Sequence, residues 1–217
     1  MKITSEYADH VERVLRERIA THELPPGAKL KEMDLADEFN ISRPRVRQIL
    51  TALAGRGLVE KMPNHGVTVA RLNAKDLYDL FDLFEFLESL GARLACLNSK
   101  PKHWAELVAL FGAPMDEALE KQDIEAIFQA VHAYRREVIK RANNPHLTDS
   151  LDRIYDRTQM LIRRLLLLPG RAPLSVREHR KILDAMINSD ADAAEKMKRK
   201  NFQTARSFLE KYQEFLL

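Results

Sequence analysis

The chain has 217 residues, 45% of them hydrophobic and 31% charged, with a formal net charge of +3. Such values suit a soluble globular protein with room for one large or two small domains. The longest apolar run, Leu165–Leu168, is hemmed by Arg163, Arg164 and Arg171 and falls far short of a membrane span. The start, Met1–Lys2–Ile3–Thr4–Ser5–Glu6, lacks the apolar stretch of a secretion signal, so a cytoplasmic protein without membrane contact is expected. The single cysteine, Cys96, lies among Leu94, Ala95 and Leu97. It excludes a disulfide framework or a cysteine metal cluster and reads as a small core residue.

Tyr7, Val11, Val14, Leu15 and Ile19 recur at three- and four-residue spacing, which predicts an amphipathic helix over 6–20. Leu24–Pro25–Pro26–Gly27 stops it. A second helix is expected over 31–39, with Leu35, Ala36 and Phe39 inward and Asn40 in a left-handed turn. Ile41–Ser42 opens a third. Ser42 is placed to cap free backbone N–H groups, Pro44 is tolerated in a first turn, and Val46, Ile49, Leu50 and Leu53 form the buried stripe. That helix ends near Gly55 and Gly57. The β-prone runs 58–62 and 67–70, on either side of Pro63–Asn64–His65–Gly66, read as a hairpin. Beyond Asn73 helices fit at about 74–98, 102–120, 123–142, 146–168, 174–188 and 190–216. The expected fold is therefore mostly α: an N-terminal domain over 1–72 made of three helices and a hairpin, then an all-helical bundle over 73–217.

Charge is distributed unevenly. Residues 1–40 carry six Lys or Arg against nine Asp or Glu, whereas residues 41–71 carry six against one, the footprint of a phosphate-facing surface. Helix, helix, turn, helix and hairpin is the order of a winged helix-turn-helix, whose third helix enters the major groove of DNA. Arg43 and Arg47 stand one helical turn apart at the start of that helix, where a forked guanidinium can take O6 and N7 of guanine. Arg45 is rotated away, toward the facing phosphate strand. Ser42 and the helix start suit a phosphate oxygen, Pro44 belongs to the same tip, and Lys31 is a further candidate contact.

Residues 10–70 resemble the GntR family of regulators. Leu24–Pro25–Pro26–Gly27–Ala28–Lys29–Leu30 matches its L-x-P-G-x-x-L turn, Leu35–Ala36 its second helix, and Ile41–Ser42–Arg43 through Arg47 its recognition-helix entry. Gly57–Leu58–Val59 and Gly66–Val67–Thr68–Val69 match the wing. The resemblance implies that His65 and Gly66, at the wing tip, lie in or above the minor groove. One departure concerns the Thr-Pro-Val-Arg-Glu-Ala-Leu run common in the family. Here it reads Pro44–Arg45–Val46–Arg47–Gln48–Ile49–Leu50, which implies a different operator sequence with the same docking.

The helical half resembles the FadR-type branch, whose C-terminal FCD domain binds carboxylate metabolites. Leu87–Glu88–Ser89–Leu90–Gly91–Ala92–Arg93–Leu94–Ala95, Asn144–Pro145–His146–Leu147 and Glu178–His179–Arg180–Lys181–Ile182–Leu183–Asp184–Ala185 carry the likeness. Many members hold a divalent metal with an Asp-x3-His pair and two later histidines, positions that fall here on Val131, Arg135, His179 and Asn201. One donor of the usual type survives, so neither a metal nor any other cofactor is expected. The resemblance assigns these four residues to effector binding, with Arg135 replacing the ion and pairing with an effector carboxylate. Two other arrangements stay open for Arg135: an internal acidic partner, or solvent. Phe84 stands where the family commonly has another arginine, which implies a less polar ligand.

No catalytic motif is visible, and an enzyme is not expected. The reading is a homodimeric repressor on a short palindromic operator in double-stranded DNA, modulated by an organic-acid effector. A ligand-independent dimeric DNA-binding protein is the alternative.

Overall fold

The computed structural model describes residues 5–21, 23–62, 66–71 and 74–216. They form two compact units, Met1–Asn73 with Arg153–Met160, and Ala74–Asp152 with Leu161–Leu217. Sequence reading leaves Arg153–Met160 in the second domain; the structure groups it with the first.

In the first unit α1 (Ser5–Ala20), α2 (Glu32–Glu38) and α3 (Arg43–Gly55) precede the hairpin β2 (Val59–Met62) and β3 (Gly66–Val69). Val11, Leu15 and Ile19 of α1 meet Val46, Ile49, Leu50 and Leu53 of α3 in one core, all at most 4% exposed. Tyr7, expected on that face, is instead 40% exposed, and its hydroxyl donates to the carbonyl of Phe39 at 3.1 Å. A ring at the first turn clears the core edge while its polar tip finds a partner. A strand absent from the sequence reading, β1 (Lys29–Leu30), pairs antiparallel with β3, giving the order β1-β3-β2. Gly27 makes this possible. With φ of +83° it turns the chain so that its N–H reaches the carbonyl of Val69 at 2.8 Å, and a Cβ there would sit 2.7 Å from the Arg71 guanidinium. Asn40 adopts the expected left-handed conformation, φ 49°.

Ser42 occupies the N-cap of α3, but its side chain makes no capping bond. Pro44 at the second helical position has no N–H to offer, and the next donor, Arg45 N–H, is taken by the Ser42 carbonyl at 2.9 Å.

The second unit is built from α4 (Ala74–Leu97), α7 (Ile124–Ala142), the two ends of α8 (Pro145–Leu166), α9 (Arg171–Ile187) and α10 (Ala191–Lys211). α10 packs on α4 and α9, and α4 on α7. Phe202 of α10 meets Phe81 and Phe84 of α4 edge-on, at 5.8 and 5.1 Å. Cys96 is buried as expected. The helix expected over 102–120 is broken into a 3-10 turn (Pro101–Trp104), α5 (Ala105–Leu110) and α6 (Ala113–Glu120), because Pro114 cannot donate back across Gly112. A short α11 (Gln213–Leu216) follows α10 after Tyr212.

Helix α9 starts at Arg171, three residues earlier than expected. Pro173 sits in its first turn, where no amide donor is required.

Caps mark the other boundaries. Asp123 Oδ1 accepts from the Ala126 amide at 2.9 Å, and Asn143 closes α7 with φ 47°. Asp123→Ala is expected to cost about 1 kcal/mol, read as a lower urea midpoint at unchanged slope. An unchanged midpoint would show that this cap contributes nothing.

Candidate DNA interface and effector pocket

Helix α3 presents its basic start to solvent. Ser42, Arg43, Pro44 and Arg47 are exposed, and Arg45 is half-buried. Arg47 Nε and Nη2 donate to the two oxygens of Glu32, at the start of α2, at 2.9 and 2.8 Å. Arg43 Nη2 lies 3.9 Å from the same carboxylate, so the two guanidinia do share one side. The Arg47 hydrogen bonds hold the Glu32 carboxyl below the usual carboxylate range. Clamped through Nε and Nη2, Arg47 keeps its outer N–H groups free for an acceptor. Arg45 turns elsewhere, donating to Gln48 Oε1 at 3.0 Å, and Lys31 stands 3.6 Å from Asp34.

Lys61 of β2, read from sequence only as part of the basic block, belongs to this surface. Its ammonium donates to Thr51 Oγ1 at 3.0 Å, and Thr51 donates to the Arg47 carbonyl at 2.7 Å. Only the fold pairing β2 with the end of α3 reveals it. Gly66 opens β3 with φ of +84° and is exposed. His65 lies outside the described residues.

In the second unit Val131, Arg135, His179 and Asn201 line one small cavity of about 50 Å³. The sequence positions taken from the metal-binding pattern therefore do converge. Their chemistry does not fit a metal: Val131 has no donor, and Arg135 carries a permanent positive charge. Among the described residues, no three His, Cys, Asp or Glu side chains are grouped to hold one.

Arg135 takes the internal acidic partner. Its Nε donates to Glu88 Oε1 at 2.5 Å, and Lys198 Nζ lies 3.3 Å from Glu88 Oε2. All three side chains are buried. Burial pushes the Glu88 carboxyl up, but Lys198 and Arg135 outweigh it and hold the group below its ordinary value. Burial also lowers the Lys198 ammonium, against the pull of Glu88. The Arg135 guanidinium lies 5.3 Å over the Phe84 ring, so an aromatic face stands where the family resemblance places a second cation.

A second polar cluster sits alongside. Arg171 Nη1 donates to Glu178 Oε2 at 2.9 Å, and Asn201 Nδ2 donates to the same oxygen at 2.6 Å. Lys198 and Arg171 are pocket residues that sequence reading missed. Lys198 sits in a charge-rich stretch of α10 that looks solvated, and Arg171 in what reads as a loop.

His179 is packed between Phe111, stacked at 5.2 Å, and Tyr134, edge-on at 4.9 Å. Its Nδ1 lies 2.8 Å from the Ser175 carbonyl. A carbonyl only accepts, so Nδ1 carries the proton and Nε2 presents a lone pair. That lone pair has no partner among the described residues. Burial, then the Lys198 charge, pull the imidazole down to about 3. The unfolded chain therefore binds the proton first, and this residue's contribution to stability is full above about pH 6.5 and lost as pH falls toward 3. In a proton NMR titration of the histidine ring resonances, the His179 signal should stay flat between pH 8 and 5. A midpoint near 6.5 would place the ring in water.

These geometries agree with what the chain is similar to. The model of bacterial regulatory proteins of the gntR family matches residues 7–69, and the FCD domain model matches residues 79–203. The "Probable D-xylose utilization operon transcriptional repressor" of Paenarthrobacter nicotinovorans is 31% identical over 82% of this chain and 77% of that protein. The "Galactonate operon transcriptional repressor" of Escherichia coli K12 is 27% identical over 89% of this chain and 92% of that protein. Among solved structures, Escherichia coli McbR/YncC matches with a TM-score of 0.80 at 24% identity, covering 98% of this chain and 100% of that one, which bears on the fold. Among the described residues no helix is long and apolar enough to cross a membrane. The chain belongs to the GntR family of bacterial DNA-binding transcriptional regulators, in the branch that carries an FCD domain, and is a regulator rather than an enzyme.

Proposed function

We propose that the chain is a cytoplasmic repressor that binds a short palindromic operator as a homodimer and releases it when an anionic small molecule occupies the pocket of the helical unit. The observation that carries the DNA-binding half is the exposed Arg43 and Arg47 pair at the start of α3, fixed by Glu32 beside Lys61. The docking contacts proposed are Arg43 and Arg47 to base edges, Ser42, Pro44, Arg45 and Lys31 at the backbone, and Gly66 with His65 at the wing.

Pairing of two copies is supported by α4. Leu83, Phe86, Leu90 and Leu97 lie exposed along it at spacings of three, four and seven residues, one stripe of the helix surface that a second copy would cover. The relatives named as operon repressors support the sign of regulation. An effector that binds one arrangement of the dimer better shifts the population toward it. The buried cations and the unpartnered His179 Nε2 favour a sensor over a domain that only dimerises.

Sedimentation of the protein with a fluorescent duplex carrying a selected site tests this. Two chains per duplex are expected, with affinity falling steeply as salt rises. One chain per duplex would contradict it.

A further inference from the structure

The helical unit carries a second concavity, a groove of about 630 Å³ between α7 and the segment made of the 3-10 turn and α5. It shares no residue with the cavity lined by Arg135 and His179, and small-molecule sites commonly span roughly 300–1,000 Å³. Two helical stripes form its walls. Ala133, Arg136, Glu137, Lys140 and Arg141 recur along one face of α7 at helical spacing, and Lys102, His103, Glu106, Leu107 and Leu110 stand opposite.

Four permanent cations, Lys102, Arg136, Lys140 and Arg141, meet two carboxylates, Glu106 and Glu137. Two positive charges are in surplus. Glu137 already serves Arg141 and, at 3.9 Å, Lys140. Lys102 and Arg136 are exposed, and pairing Glu106 with either would leave the surplus unchanged. Arg141 is anchored, its guanidinium 5.5 Å over the ring of the buried Trp104.

His103 senses the same field from within the wall. Its Nδ1 accepts the Lys100 amide at 3.1 Å, so the neutral ring carries its proton on Nε2, a donor. Partial burial, then the charges of Arg141, Lys102 and Lys100, lower the imidazole below its ordinary value against the opposing pull of Glu137. The potential at the ring is therefore positive.

We propose that this groove binds a small phosphate monoester, its phosphoryl oxygens on Lys102, Arg136 and Lys140 and its organic part against Leu107 and Leu110. Such a group carries about −1.5 to −2 charges at pH 7 and three strong acceptor oxygens. It matches both the surplus and the number of donors. A sulfate ester or a phosphodiester, with a single negative charge, meets half of the surplus.

Titration of the full-length protein with phenyl phosphate, phenyl sulfate and succinate, followed by proton NMR at the His103 ring, tests the assignment. The His103 signal is identified by its loss in His103→Gln. Phenyl phosphate should raise the His103 midpoint and bind at least about threefold more tightly than either of the other two. Lys102→Ala combined with Arg136→Ala should weaken the ester at least about tenfold. An unmoved His103 signal at about 10 mM ester, equal binding of phenyl sulfate or succinate, or undiminished affinity in the double variant would each overturn the proposal. Weaker operator binding by the double variant, with no ester bound by the wild type, would overturn it too and make the groove a contact to the DNA backbone. Both replaced side chains are exposed, and the wild-type comparison of the three anions decides alone should the variant not fold.

Discussion

Arg47→Ala should weaken binding to a selected operator by about 10- to 100-fold, the range for a lost bidentate contact to a base. The side chain is 61% exposed and clamped to Glu32 by two hydrogen bonds, so its removal opens no cavity. Stability should barely move. A base-reading role also predicts that the loss is concentrated on the cognate duplex, leaving binding to unrelated DNA reduced only by the charge removed. Fluorescence anisotropy at two or more salt concentrations separates these effects. An equal loss on both duplexes would make Arg47 a phosphate contact, and no loss would remove it from the interface. Arg43→Ala should behave alike, since its guanidinium shares the Glu32 side of the helix.

Glu88→Gln should be the most damaging single change in the helical unit, costing about 3–5 kcal/mol. It removes the carboxylate that Arg135 and Lys198 share in the buried cluster. Lys198 offers a way out, because burial already lowers its ammonium and losing Glu88 removes the group that opposes this. The unfolded chain then binds more protons than the folded one across the alkaline range. The variant's stability deficit should shrink as pH rises from 6 to 9. Adding Lys198→Met should recover part of the loss. Urea unfolding at three pH values measures all of this. A loss below about 1 kcal/mol in Glu88→Gln would mean that the cations reach water and that the cluster is not sealed.

Much of the DNA-binding unit is legible in the sequence because its signals are local. Apolar spacing marks α1 and α3, Asn40 takes its left-handed turn, and Arg43 and Arg47 are neighbours by helical period alone. Glu32 and Lys61 complete the surface from other elements, and nothing within α3 announces them. β1 is equally hidden: two residues become a strand only because Gly27 brings them beside β3.

In the helical unit the family likeness finds the walls of the pocket, since Val131, Arg135, His179 and Asn201 do face one cavity. It does not find the charge balance. Whether Arg135 waits for a ligand carboxylate or pairs with Glu88 depends on the packing of α4 against α7, a long-range fact. Arg171 is missed for a nearer reason. Pro173 reads as a breaker, yet it is harmless in a first turn, and the helix it appears to interrupt begins before it.

The most direct test of DNA recognition through α3 is selection of bound duplexes from a random-sequence pool, run in parallel with wild-type protein and the Arg43→Ala, Arg47→Ala double variant. Recovery of a short palindrome by the wild type, and of no enriched sequence by a double variant that still unfolds cooperatively, is the predicted result. The same palindrome recovered by both proteins, or an unenriched pool from the wild type at moderate salt, would contradict it.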